Sequence, residues 1–95
     1  MKSSQILKKA RKLIASGECY FICNAVFRVG RQNWCEDKSY EIEKYISTQL
    51  NGMASLGGWL RSCHDINPST SSRKLKQTRL NWIDWMIAAY EEKGD

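Results

Sequence analysis

One proline and one histidine stand in 95 residues, and no apolar run approaches the roughly 18 to 20 residues that span a bilayer. So little proline excludes a Pro-rich linker, and six glycines exclude a collagen-like repeat. A lone histidine leaves little material for acid–base catalysis, which uses two convergent groups with separated pKa values. The first twelve residues, Met1 to Lys12, carry charges every few positions and so lack the apolar stretch of an export signal. No Gly-rich phosphate loop, metalloprotease helix motif or serine elbow occurs. These absences point to a noncatalytic protein expected in the cytoplasm, without a membrane span and without a cofactor.

What is present suits a folded chain. Hydrophobic residues make up 42% and charged residues 26%, with four Trp, four Tyr and two Phe, enough apolar surface to form a core. The length predicts one domain over residues 1–95. Apolar Ile6, Leu7, Ala10, Leu13 and Ile14 recur at helical spacing, with Ser3 or Ser4 as N-cap and Ser16-Gly17 as the stop. Residues 19–29 are apolar nearly all round and read as a central helix ended by Gly30, with a strand as the competing reading. Residues 30–36 read as a loop, and Asp37 or Ser39 opens a helix to Leu50 that Asn51-Gly52 ends. A short helix is expected over 56–63, despite Gly57-Gly58. An exposed connection around Pro68 follows, and then a long helix capped by Ser71 or Ser72 and running through Glu92. The expected fold is all-α, a compact bundle of four to five short helices.

Cys19, Cys23, Cys35 and Cys63 read as reduced thiols. The spacing lacks the two short pairs of common zinc sites, so apolar packing is the better role for Cys19 and Cys23. Cys63-His64-Asp65 is a surface turn on this reading, because sequence neighbours seldom converge into a nucleophile and base. Neither a catalytic residue nor a metal ligand is assigned.

Charge layout is the stronger signal. Fifteen Lys and Arg against ten Asp and Glu give +5, which favours anionic partners without choosing among them. Lys8, Arg11 and Lys12 crowd one helix face and repel unless an anion lies over them. Arg73, Lys74, Lys76 and Arg79 fill the opening turns of the last helix, while Glu91 and Glu92 occupy its end, both against the macrodipole. Arg28 and Arg31 extend the basic surface. Trp82 and Trp85 are spaced as core anchors; Trp34 and Trp59 are the candidates for stacking or for a partner's groove.

The run Ala10-x2-Leu13-Ile14-x2-Gly17, then Phe21-Ile22-Cys23-x-Ala25, Leu56-x2-Trp59-Leu60 and Arg79-x2-Trp82-Ile83-Asp84-x-Met86-Ile87, resembles small bacteriophage accessory proteins of unassigned function. The resemblance implies a helical protein made in the cytoplasm of an infected cell, where such products commonly bind and disable host components, defence systems included. The partner expected is a host protein or an anionic ligand, met by Lys8, Arg11, Lys12, Arg28, Arg31, Arg73, Lys76, Arg79, Trp34 and Trp59. Direct DNA or RNA binding and homo-oligomeric assembly are the alternatives.

Overall fold

The computed structural model describes residues 1–49 and 68–95, with side chains described at 1–46, 76–77 and 79–95. Four helices are described: α1 (Ser3–Ser16), α2 (Ile22–Gln32), α3 (Glu36–Gln49) and α4 (Pro68–Glu92). No strand occurs among the described residues, so the all-α expectation holds and the strand reading of residues 19–29 falls. The Asn51-Gly52 stop, the expected helix over 56–63, Trp59 and Cys63-His64-Asp65 lie outside the described residues. Among those described, no helix is long and apolar enough to cross a membrane.

α1 is the central element, packing most extensively on α4, then on α2, and more lightly on α3. Its apolar stripe faces the core: Ile6, Leu7 and Ala10 are completely buried and Ile14 nearly so, with Leu13 partly buried at the margin. Facing it are Ala25, Val26 and Val29 of α2, Ile42 and Ile46 of α3, and Leu80, Ile83, Met86, Ile87 and Tyr90 of α4. Each Val, Leu, Ile or Met side chain so buried contributes about 1.5–3 kcal/mol. Cys19 lies in this core, and Cys23 and Cys35 pack against it as small apolar groups. Gly17 ends α1 at φ 84°, the left-handed cap that the sequence signals.

Five local expectations need correction. The α2–α3 connection is shorter than residues 30–36, and α3 begins at Glu36, so neither Asp37 nor Ser39 opens it. Ser3 and Ser4 do not cap α1; Lys2 holds that position, and both serines lie buried in the first turn. Their backbone N–H groups donate to Asp95, Ser3 to Oδ1 at 3.1 Å and Ser4 to the main-chain oxygen at 2.8 Å. The two hydroxyls donate to Asp95 as well. An acid from beyond the end of α4 therefore satisfies the orphan donors and offsets the positive pole of α1.

Gly30 does not end its helix either. It sits buried inside α2, where a Cβ would collide with Ser39 Oγ, and Ser39 donates to the Val26 carbonyl at 2.9 Å. The glycine is there for the close approach of α2 and α3, and only Asn33–Cys35 separate them. The last helix begins at Pro68 and takes in Ser69–Ser72, because proline fits a first helical turn, where its missing N–H costs nothing. Trp85, expected in the core, is 43% exposed and edge-on to the half-buried Trp82 at 6.2 Å.

Candidate functional site: a divided charged surface

α1 and α4 run antiparallel, as the pairings of Ser4 with Asp95, Lys8 with Glu91 and Arg11 with Asp84 show. That register brings the acids of α4 onto the cations of α1. Arg11 donates from Nε to Asp84 Oδ1 at 2.6 Å and from Nη2 to Oδ2 at 3.2 Å, a two-pronged pair. The hydrogen bond to Asp84 raises the guanidinium pKa above its ordinary value. Lys8 Nζ lies 3.4 Å from Glu91 Oε2. The anion that the crowded α1 face calls for is thus supplied by the same chain, and Glu91, misplaced for its own helix dipole, gains a cation.

The opposite edge of α1 differs. Lys2, Gln5, Lys9 and Lys12 follow one another at three- and four-residue spacing and so form one exposed row. Lys2, Lys9 and Lys12 enter no ion pair among the described residues. Lys9 Nζ instead donates to Asn33 Oδ1 at 3.4 Å, which ties the row to the end of α2. Arg28 and Arg31 are exposed on α2. Arg28 stands 3.8 Å from Glu18, and Arg31 donates to the Phe27 carbonyl.

At this edge stands Trp34. It is 96% exposed and has φ 56°, the one positive φ outside glycine among the described residues. A bulky side chain in the left-handed region costs on the order of 1 kcal/mol. Asn33 beside it is the type that tolerates this conformation; Trp34 carries it instead.

Between α1 and the α2–α3 turn lies an open groove of about 480 Å³, lined by Met1, Gln5, Lys8, Lys9 and Asn33. Its wall is fixed by Asn33, whose Nδ2 donates to the Val29 carbonyl at 2.8 Å. Met1 Sδ reaches Cys35 Sγ at 3.9 Å on the far side.

The fold therefore splits the residues that the charge layout groups together. Lys8 and Arg11 are engaged at the α4 seam, whereas Lys12 on α1, Arg28 and Arg31 on α2 and Trp34 in the turn after it are exposed. Lys76 is exposed on α4. The side chain of Arg73 lies outside the described ones, as does Trp59.

Arg79 must be removed from the surface: it is 1% exposed, its guanidinium carbon 5.1 Å from the centroid of Phe21. Its position explains this, since Arg79, Ile83, Met86 and Tyr90 share one helical face directed into the core. Lys9, Gln5 and Asn33 join the site, although charge layout alone does not select them. The 2–5–9–12 spacing, on the side of α1 away from its apolar stripe, is the signal that finds the first two.

Among the described residues, no three His, Cys, Asp or Glu side chains gather as a metal site. No protein-family model, curated protein or solved structure matches the chain.

Proposed function

We propose that the chain is a noncatalytic binding protein of the kind bacteriophages encode, which lays its α1–α2 edge on an acidic region of a host component and obstructs it. An anti-defence role in the host cytoplasm fits this mode of action. One observation carries the reading: the fold pairs Lys8 and Arg11 internally and leaves the row Lys2, Lys9 and Lys12 facing solvent without ion pairs among the described residues. Unpaired cations in a row set up a potential that steers an anionic surface toward them and suppresses wrong partners.

The test is affinity capture from bacterial lysate, with and without nuclease, using the native chain and a Lys2→Glu, Lys12→Glu variant. The expected result is a host protein that survives nuclease, is retained by the native chain and is lost with the variant, whose helical circular dichroism is unchanged. Capture that both chains achieve equally removes the cationic row from the mechanism.

Direct nucleic-acid binding is the second reading, favoured by the open indole of Trp34, which follows the Asn33 that Lys9 contacts. It predicts that all captured species vanish with nuclease. Duplex affinity should then fall with salt on a log–log slope of about 0.9 per neutralised phosphate.

A further inference from the structure

We infer that the chain pairs with a second copy of itself, each copy seating Trp34 in the groove of the other. Of the host-facing row of lysines, only Lys9 takes part in this contact. Trp34 does not fill the groove beside it, being 96% exposed, although Asn33, its neighbour in sequence, forms part of the groove wall. Knob and groove are thus parts of one surface. A two-fold axis between two copies presents each knob to the other's groove, which is the arrangement of an isologous dimer.

The groove suits an indole. Met1 offers a polarizable thioether, 42% of the residue being exposed, and sulfur sits favourably at an aromatic edge. Lys8 and Lys9, their ammonium groups turned to Glu91 and Asn33, offer alkyl stems for contact. The segment around Trp34 carries both signs. Arg31 precedes Trp34 by three residues, and Glu36 and Asp37 follow it. All three are exposed and in no ion pair among the described residues.

A two-fold operation that lays this segment on its copy can set Arg31 of each against Glu36 and Asp37 of the other. A polyanion approaching the same segment would meet those two acids near the indole in sequence and be repelled, so the segment's mixed charge favours the second copy over a nucleic acid at this spot. The left-handed backbone of Trp34 agrees with this role, because it costs stability in the isolated chain and holds the indole away from its own core.

Sedimentation velocity over a concentration range of about 1–100 µM tests the pairing. The native chain should shift from monomer to dimer as concentration rises. Trp34→Asn, which suits the left-handed conformation and so keeps the fold, should stay monomeric throughout. Arg31→Glu should weaken pairing at least about fivefold, the effect of a like-charge contact, and adding Glu36→Arg to it should restore pairing. A native chain that is monomeric throughout, or a dimer that survives Trp34→Asn, overturns the proposal. Lys2→Glu with Lys12→Glu leaves the groove lining intact and should leave the dimer unchanged, so this contact and the host-binding row fail separately.

Discussion

The two sides of α1 treat the same kind of residue in opposite ways. On the α4 side, Lys8 and Arg11 meet Glu91 and Asp84 across an antiparallel seam, above a core of Leu7, Ile83 and Met86. On the α2 side, Lys2, Lys9 and Lys12 meet no acid among the described residues, and Trp34, next in sequence to the Asn33 that Lys9 contacts, is left in water. The first side spends its charges on holding two helices in register. The second keeps its charges available. A count of lysines and arginines treats both alike, so it overstates the surface open to a partner.

Substitutions on each side sharpen this contrast. The largest effect belongs to the seam's apolar floor: Ile83→Ala removes a fully buried side chain and should cost about 2–5 kcal/mol in chemical denaturation. Next comes Gly30→Ala. Its gain in helix propensity of about 1 kcal/mol is set against about 1–3 kcal/mol of overpacking against Ser39, for a net loss of up to about 2 kcal/mol. Ser39→Ala in the same chain should recover part of the loss, because the colliding Oγ is gone; equal stability of the single and double variants would refute the close-approach account.

Smaller still is the seam's ion pair. Asp84→Asn should lower stability by about 0.2–1 kcal/mol, since the pair is half exposed and screened. Lys12→Glu, on the other side, should change stability by less than that while weakening host capture. An Asp84 variant as neutral to stability as Lys12→Glu would erase the distinction between the two sides.

The acid titration of Asp95 gives the finest probe. The backbone N–H of Ser3, its hydroxyl and Lys38 hold this carboxyl below the ordinary carboxylate range, with Lys38 Nζ at 3.2 Å. Its folded pKa is depressed, so its contribution is present above the unfolded value of about 3.9 and fades as pH falls through the folded value. Asp95→Asn should be less stable than the native chain at neutral pH, with the gap closing below about pH 4. A gap that persists in acid would mean that the side-chain charge is not what matters.

Much of the fold is legible in the residues alone. The α1 stripe and its Gly17 stop follow from spacing and from the one residue type that accepts a left-handed cap cheaply. Gly30 misleads because a glycine that ends a helix and one that admits a neighbouring helix look alike until Ser39 is brought against it. Arg79 is legible in principle: its spacing to Ile83, Met86 and Tyr90 is that of a core position, but arginine is so commonly exposed that residue type outweighs register. The Arg11–Asp84 and Lys8–Glu91 pairs are not legible, since 73 and 83 residues separate the partners and only the antiparallel packing of α1 on α4 aligns them. The loop position of Trp34 marks it as a contact candidate, but the left-handed backbone that thrusts it outward is set by the short Asn33–Cys35 turn.

Asp95 also bears on how the molecule opens. Because it accepts hydrogen bonds from Ser3 and Ser4 while its own N–H donates to the Tyr90 carbonyl, the first turn of α1 and the last turn of α4 share one fastening. Helix ends ordinarily fray independently and exchange their amide hydrogens early. Here the two ends should exchange deuterium together, at a common rate slower than that of the exposed residues around Trp34.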